Sequence, residues 1–182
     1  MKYEEKQLET ENIYSGKIIN VRKDGVLLPN GRRSVREVVE HPGGVCIAPL
    51  TAEGELIFVR QFRYPYAQEI LELPAGKLDR KGENPLEGGK RELREETGAS
   101  ALEYVSLGRL YPSPGYSNEI IYMYLAKGLS YGDQQPDDDE FIDVVKLPFA
   151  KALRMVMDGE IPDAKSQTAV LKAAFMLGMT KY

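Results

Sequence analysis

The stretch Arg91-Glu92-Leu93-Arg94-Glu95-Glu96-Thr97-Gly98 is the most informative part of this 182-residue sequence. It closes a helical pattern that runs from Pro85 to Thr97, and Gly98 stands where the end of a helix favours glycine. With 3.6 residues per turn, Glu92, Glu95 and Glu96 fall within an arc of roughly 100°. Like charges at this spacing repel by a few tenths of a kcal/mol per pair. Taken alone, this face is either solvated or a site for a hard divalent ion that takes oxygen ligands.

Residues before the helix extend the pattern at fixed spacing. Seven residues separate Glu83 from Arg91, and Gly76 precedes both. The series resembles the Nudix box, Gly-x5-Glu-x7-Arg-Glu-U-x-Glu-Glu-x-Gly-U, where U is aliphatic. Six fixed matches at roughly one in fifteen per position have chance odds on the order of 10⁻⁷. The sequence departs from the box in the loop after Gly76, which has six residues where the box has five. Insertions in loops cost little.

Matches outside the box cover nearly the whole chain and resemble the ADP-ribose pyrophosphatases among the Nudix hydrolases. The Pro-Ser-Pro-Gly element at 112–115 and a small N-terminal sheet favour this subgroup over enzymes that hydrolyse nucleoside triphosphates. The other matching stretches are LPNG at 28–31, REVVEHPG at 36–43, VRQFR at 59–63, ELPAGK at 72–77, Glu119, DEF at 139–141 and DAKS at 163–166.

The resemblance implies a metal-dependent hydrolase that splits ADP-ribose into AMP and ribose 5-phosphate. It implies two or three Mg²⁺ or Mn²⁺ ions per site, which activate the attacking water and stabilise charge on the phosphate oxygens. The implied metal ligands are the carbonyl oxygen of Ala75 and the carboxylates of Glu92, Glu96 and Glu140. The implied catalytic residues are Glu140 or Asp138 as the base, in the acidic loop 137–140, with Glu95 close by.

The resemblance also implies the substrate-binding residues Arg36, Arg63, Glu119 and Gly115. An arginine fork suits phosphate oxygens. Without the resemblance, the arginines are ordinary surface or ion-pair residues, Glu119 flanks a strand, and the acidic loop is a solvated turn. Two alternatives stay open: a Nudix hydrolase for a GDP-sugar, UDP-sugar or dinucleotide, and a sensor that binds ADP-ribose without cleaving it. The stacked carboxylates argue against the sensor, which has no need of them.

Composition and charge are those of a soluble globular protein, with 42% apolar residues, 29% charged residues and a net charge of −4. This balance predicts neither a nucleic-acid nor a membrane partner. No stretch approaches the roughly 20 apolar residues of a membrane helix, and the charged start is unlike a signal peptide. We therefore expect a cytoplasmic protein. The single Cys46, in an apolar run, predicts a buried and inert thiol.

The order of predicted elements indicates an α+β fold. The resemblance specifies the Nudix α/β/α sandwich with mixed sheets, preceded by a small N-terminal antiparallel β-sheet. The break at residues 41–44 divides the chain into this sheet, residues 1–41, and a Nudix hydrolase domain, residues 42–182. The first dozen residues favour a short helix or an arm, and 45–50 with 55–62 favour a hairpin. The predicted strands are 13–21, 25–28, 34–40, 45–50, 55–62, 70–73, 102–111, 119–126 and 141–147, and the predicted helices are 85–97, 148–157 and 164–179.

The N-terminal sheet also predicts a homodimer, because so small a sheet cannot bury its apolar face alone. In the resembling pyrophosphatases the sheet is exchanged across a two-fold axis and helps to form the partner's substrate pocket. Arg36 would then reach the substrate bound to the other subunit. The apolar residues that need a partner surface are Ile13, Ile18, Val21, Val26, Leu28 and Val38.

Overall fold

A computed structural model describes residues 2–78, 82–135 and 141–179. The chain folds into two compact units: Met1–Gly43 with Tyr111–Ile120, and Gly44–Leu110 with Ile121–Tyr182. Residues 111–120 thus belong with the N-terminal sheet, although they follow it by some seventy positions. The division into domains 1–41 and 42–182 stays a prediction.

The first unit contains an antiparallel sheet in the order β1-β2-β3. Its strands are β1 (Lys6–Ser15), β2 (Asn20–Leu27) and β3 (Arg33–Glu40). The Asn-Gly turn expected between β2 and β3 is present, with Gly31 at a φ of 82° and its N–H donating to the carbonyl of Leu28 at 2.9 Å. Glycine is favoured there because a positive φ strains other residues.

Two expectations for the N-terminal region were wrong. Residues 6–15 form a strand rather than a helix or an arm. A turn, in which the N–H of Gly16 donates to the carbonyl of Ile19 at 2.9 Å, splits the predicted strand 13–21. All ten residues of β1 are exposed. A strand exposed on both faces needs no alternation of apolar and polar residues, which is the pattern that marks a half-buried strand. Residues 6–15 are a strand because they pair with β2.

The second unit contains two sheets, in the orders β10-β5-β6 and β7-β4-β9-β8. The predicted hairpin of β4 with β5 is limited to one antiparallel bridge between Leu50 and Leu56 and was otherwise wrong. Strand β4 lies antiparallel to β7 and parallel to β9, whereas β5 pairs with β6 and β10. Because β4 is buried throughout, it needs neighbours on both of its edges, and the short turn after it leads into the other sheet. The strands are β4 (Gly44–Pro49), β5 (Glu55–Arg63), β6 (Gln68–Glu72), β7 (Ala75–Lys77), β8 (Ala99–Leu110), β9 (Ile121–Tyr131) and β10 (Asp143–Pro148).

The helices of the second unit are α1 (Pro85–Thr97), α2 (Phe149–Met157) and α3 (Ala164–Met176). The bounds of α1 match the prediction, since Asn84 caps its first turn through a 2.9 Å bond from the N–H of Leu86 and Gly98 ends it at a φ of 68°. Helix α3 ends three residues earlier than predicted, and the short β7 was not predicted. No helix within residues 2–78, 82–135 and 141–179 has the length and apolar character needed to span a membrane.

Successive residues of β4 enter two different apolar clusters. Val45 and Ile47 pack with Leu93 of α1, whereas Cys46 and Ala48 belong to the cluster that contains residues of α2, α3 and β5. This alternation matches the opposite faces of a strand. The sheet that carries β4 is therefore covered on both faces, which confirms the expected α/β/α sandwich.

Candidate active site

The second half of α1 buries two of its carboxylates against the sheet. Glu92 and Glu96 are 8% and 1% exposed, and Glu95 is half-buried. Leu93 lies between them in the core, which fixes the rotation of the helix. Burying a carboxylate costs several kcal/mol unless hydrogen bonds or cations compensate. The solvated-face interpretation is therefore wrong for Glu92 and Glu96.

Strand β7 lies directly against these two carboxylates. The N–H of Ala75 donates to Glu96 Oε2 at 3.0 Å. A Cβ on Gly76 would lie 2.0 Å from the carboxyl carbon of Glu92, closer than any side chain can approach. Glycine at this position is what allows the backbone to pack on the carboxylate. The box spacing thus places Ala75, Glu92 and Glu96 together.

Arg91 forms ion pairs with three of the carboxylates around it. Its Nη1 lies 2.8 Å from Glu92 Oε1 and 2.9 Å from Glu95 Oε2, and its Nε lies 3.8 Å from Glu83 Oε1. Its Nη2 also donates to the carbonyl of Lys77 at 3.2 Å. The longer loop after Gly76 therefore leaves Glu83 within ion-pair distance of Arg91. Residues 79–81 of that loop lie outside the described part of the chain.

The oxygen donors of this site fit a hard divalent cation, which takes carboxylate and carbonyl oxygens. Within the described part of the chain, however, no three His, Cys, Asp or Glu side chains stand arranged as a metal site. The proposed ligand Glu140 and the proposed base Asp138 both lie outside the described residues. Glu92, Glu96 and Ala75 are thus the described members of the predicted ligand set.

The chain that leads to the acidic loop is tied to the C-terminal end of α1. Gln134 Nε2 donates to the carbonyl of Glu96 at 2.6 Å, and the N–H of Gln135 donates to the carbonyl of Glu95 at 3.0 Å. Just before them, the N–H of Gly132 donates to the carbonyl of Gly98 at 2.8 Å. The last described residues before Asp138 and Glu140 are therefore anchored on the helix that carries the box.

A second cluster of charges surrounds Glu72, at the end of β6. Arg63 binds this carboxylate in a bidentate manner: Nε donates to Oε1 at 2.5 Å and Nη2 donates to Oε2 at 2.8 Å. Lys165 Nζ also donates to Glu72 Oε2, and it donates to Asp163 Oδ1 at 2.9 Å. Burial alone would raise the pKa of Glu72, but the bond from Arg63 and the charge of Lys165 outweigh burial, and its pKa lies below the ordinary value.

This cluster lies beside the box carboxylates. The hydrogen bond to Glu72 raises the pKa of Arg63 most, and the charges of Glu72, Asp163 and Glu96 raise it further. Arg63 was predicted from the sequence, whereas Glu72 and Lys165 had no predicted role. Their signal was present in the matching stretches 72–77 and 163–166. Neither stretch relates Glu72 to Lys165, because the two residues are 93 positions apart.

The remaining predicted residues belong to the first unit. Arg36 forms two bonds to Glu5, with Nη2 at 2.6 Å and Nε at 2.8 Å. Glu119 Oε1 lies 3.5 Å from Nδ1 of His41, which also accepts a bond from the N–H of Gly43 at 3.1 Å. Gly115 is exposed and has open space where a Cβ would be. The substrate-binding roles of Arg36, Glu119, Gly115 and Arg63 stay predictions.

Cys46 is fully buried in β4, and burial raises the pKa of its thiol far above the ordinary value. A thiol that stays protonated is a poor nucleophile. The prediction of a buried cysteine is confirmed, and that of an inert thiol stays a prediction.

Comparison with known proteins gives two family matches and close relatives of similar length. The NUDIX domain model matches residues 39–167, and the model of the nucleoside diphosphate sugar hydrolase N-terminal domain matches residues 5–39. The chain is 43% identical to the ADP-ribose pyrophosphatase of Bacillus subtilis (strain 168) over 169 residues, which covers 92% of this chain and 91% of that one. It is 42% identical, with the same coverage, to the methanol dehydrogenase activator of Bacillus methanolicus. The crystal structure of an ADP compounds hydrolase shares the fold, with a TM-score of 0.84 at 23% identity over 98% of this chain and 97% of that chain.

Proposed function

Because this chain belongs to the NUDIX domain family, we propose that it is a pyrophosphatase that hydrolyses a nucleoside-diphosphate sugar, with ADP-ribose as its preferred substrate. The observation that carries this proposal is the buried pair Glu92 and Glu96, packed on the backbone of Ala75 and Gly76. Two such carboxylates can bind divalent cations, which in turn bind and neutralise an anionic diphosphate. The similarity to an ADP-ribose pyrophosphatase over nearly the full length of both chains supports the choice of substrate.

Nudix hydrolases generally use divalent metal ions, and here we propose two or three Mg²⁺ or Mn²⁺ ions. Glu92, Glu96, the carbonyl oxygen of Ala75 and Glu140 would hold them. Bound at these oxygens, the ions would neutralise the diphosphate and lower the pKa of a water molecule. The bond from the N–H of Ala75 keeps Glu96 oriented, and Arg91 restrains Glu92 and Glu95.

The residues of the chain supply the proton acceptor for hydrolysis. As the water oxygen bonds to one phosphorus and the bond to the bridging oxygen breaks, Glu140 or Asp138 would take the proton of the water. The products are AMP and ribose 5-phosphate. The anchoring of Gln134 and Gln135 on α1 supports a base from this loop, since it starts the loop at the end of the box helix. Glu95 is a further carboxylate in the same turns of α1.

Four residues would bind the substrate. Arg63, whose side chain is 38% exposed, would offer its guanidinium to the diphosphate while Glu72 holds its other edge. Arg36 would contact phosphate or ribose, and Glu119 would accept a bond from a ribose hydroxyl. Gly115, with open space around it, would let the backbone approach the substrate.

We further propose a homodimer in which the N-terminal sheet of one protomer contributes to the partner's site. All residues of β1 are exposed, although the strand and its surroundings carry large apolar side chains. A cavity of about 400 Å³ in the first unit is lined partly by Ile13, Val21, Val38 and Tyr116. Exposed apolar surface of this kind marks an interaction site. The exposed apolar residues of the sheet and of the turn between β1 and β2 are Leu8, Ile13, Tyr14, Ile18 and Val35.

The proposal includes a cytoplasmic location, which suits a protein whose single cysteine is a free thiol. Two other functions compete with it: hydrolysis of a GDP-sugar, UDP-sugar or dinucleotide, and binding of ADP-ribose without cleavage. Glu92 and Glu96 favour hydrolysis, because a sensor gains nothing from burying two carboxylates.

Product analysis tests the proposed reaction. We expect the purified protein to convert ADP-ribose into equal amounts of AMP and ribose 5-phosphate with Mg²⁺ or Mn²⁺, and to form neither product in excess EDTA. Phosphorus NMR or ion-exchange chromatography identifies both products. Tight binding of ADP-ribose without products in either metal would instead favour the sensor.

A further inference from the structure

The first turn of α3 supports the end of β6 at two neighbouring points. Ser166, fully buried, accepts a 2.7 Å bond from the N–H of Leu73 and donates a 2.5 Å bond to Asp163 Oδ2. Lys165, on the same turn, reaches Glu72, the residue before Leu73. Strand and helix are therefore joined both by a bond from the backbone to a buried hydroxyl and by a partly buried ion pair.

The Lys165 ammonium contacts two carboxylates and has little exposure to solvent. Its side chain is 12% exposed, and its ammonium lies between Glu72 and Asp163, which are 3% and 18% exposed. Burial alone would lower the pKa of Lys165, but the two carboxylates outweigh burial and raise it. The ammonium therefore stays charged. Replacing it with an apolar side chain would leave the carboxylates of Glu72 and Asp163 with Arg63 as the remaining nearby cation of this cluster.

The charge balance around Glu72 determines what Arg63 can offer to a ligand. If Glu72 were paired with Arg63 alone, its negative charge would cancel the positive charge of the guanidinium. Glu72 instead takes a second cation, because Lys165 donates to the same Oε2 that Arg63 Nη2 contacts at 2.8 Å. With Lys165 present, a second cation neutralises the Glu72 carboxylate. The positive potential at the exposed edge of the guanidinium, whose side chain is 38% exposed, is therefore cancelled less.

We propose that Lys165 is a positioning residue that acts through Glu72 to hold the Arg63 guanidinium, and its charge, available to the diphosphate of the substrate. The inference rests on the proposed function, in which Arg63 binds that diphosphate. Lys165 itself need not touch the substrate. Its contribution would therefore disappear when Arg63 is absent.

A double-mutant cycle with Lys165→Met and Arg63→Gln tests this role. We expect Lys165→Met to raise the KM for ADP-ribose by about tenfold with kcat within about threefold of wild type, as for lost uniform binding. The double variant should then have a kcat/KM within about twofold of Arg63→Gln alone, since residues that act through one another are not additive. Lys172→Met, on the same helix but bonded to the carbonyl of Leu107, is the matched control and should leave KM unchanged.

Three results would overturn the inference. Multiplicative losses in the double variant would mean that Lys165 acts independently of Arg63, for example by touching the substrate. An unchanged KM in a folded Lys165→Met protein would mean that its role is only structural. If Lys165→Met does not fold, Lys165→Met with Glu72→Gln removes one charge of each sign. We expect this pair to fold with a raised KM, because an amide at position 72 cannot hold the Arg63 guanidinium through two bonds as the carboxylate does, and a wild-type KM would count against the proposal.

Calorimetric binding of ADP-ribose in EDTA separates this inference from the proposed function. If the wild type binds without hydrolysing any nucleotide sugar, the proposed reaction fails and the same cycle is evaluated on Kd. An additive cycle on Kd overturns the role of Lys165 alone. A wild type that neither binds nor cleaves overturns both.

Discussion

The N–H of Ala75 donates a 3.0 Å hydrogen bond to Glu96 Oε2, joining the start of β7 to a carboxylate that is 1% exposed. Because Glu96 is on α1, this bond holds two oxygen donors of the proposed metal site at a fixed separation. The same bond compensates part of the cost of burying the carboxylate. The site therefore depends on both β7 and α1, and a substitution in either element can disrupt it.

Replacing Glu96 with Gln should remove activity and spare the fold. The amide oxygen can still accept the bond from Ala75, but a neutral amide binds a divalent ion poorly. We expect kcat/KM for ADP-ribose to fall by roughly 10³-fold, about 4 kcal/mol of transition-state stabilisation. Steady-state kinetics and thermal unfolding give the two readouts. Glu87→Gln, on the exposed first turn of the same helix, is the control, and near-native turnover of Glu96→Gln would mean that the metal lies elsewhere.

Substituting Gly76 by Ala should also reduce activity, although less than removing the Glu96 carboxylate does. The new Cβ would lie 2.0 Å from the carboxyl carbon of Glu92, so strand or carboxylate has to move. Gly88→Ala is the matched control, because its Cβ would meet the tip of Leu78 at 3.1 Å and the Glu83 carboxyl carbon at an ordinary contact distance of 3.5 Å. We expect roughly 10²-fold weaker activity for Gly76→Ala, since small misplacements at a catalytic centre cost that much, and little change for Gly88→Ala. Equal activities of the two variants would rule out close packing of Gly76 on Glu92.

The stability contributed by Glu72 should depend on pH. Its folded pKa lies below the ordinary value of 4.5. Its ion pairs therefore contribute fully above that pH and lose their effect as pH falls through the folded pKa. Thermal unfolding of Glu72→Gln should show a deficit of about 2 kcal/mol at pH 7, the size of bonds to a charged group. The deficit should shrink as pH falls below 4.5, whereas Glu69→Gln, exposed on the same strand, should show none. A Glu72→Gln deficit that stays constant as the medium is made strongly acidic contradicts the assigned ion pairs.

Deleting residues 1–40 should abolish both association and substrate affinity. The exposed strand β1 and the apolar side chains of its sheet would no longer be present to form the dimer interface. Multi-angle light scattering of the wild type should report a dimer, and the truncated protein should be monomeric with no measurable saturation by ADP-ribose. A wild type that is an active monomer at assay concentration would contradict the proposed dimer and would mean that the sheet acts within its own chain.

Local signals in the sequence predicted the box helix accurately. Pro85 and Gly98 mark the ends of α1, and the spacing of its glutamates indicated which side chains share a face. The box also related Gly76 and Glu83 to Arg91, because the loop and helix that connect them are short. Each of these relationships depends on neighbours within about twenty residues.

Relationships between distant segments were not accessible in this way. Strands β4 and β5 are both apolar runs joined by a short turn, so a hairpin was expected, but β4 pairs with β9 and β5 with β10, far along the chain. Strand β1 carries no apolar alternation because both of its faces are exposed. The pair Glu72 and Lys165 joins residues 93 positions apart, and no local pattern relates them.

The most direct test of the proposed function is a comparison of kcat/KM across nucleotide substrates with Mg²⁺ and Mn²⁺. The panel contains ADP-ribose, GDP-mannose, a UDP-sugar, a dinucleotide and ATP, with the released phosphomonoester measured for each. We predict the highest kcat/KM for ADP-ribose, with activity near zero once the metal is chelated. A higher kcat/KM on ATP, or hydrolysis of ADP-ribose that persists after complete chelation, would contradict the proposed function.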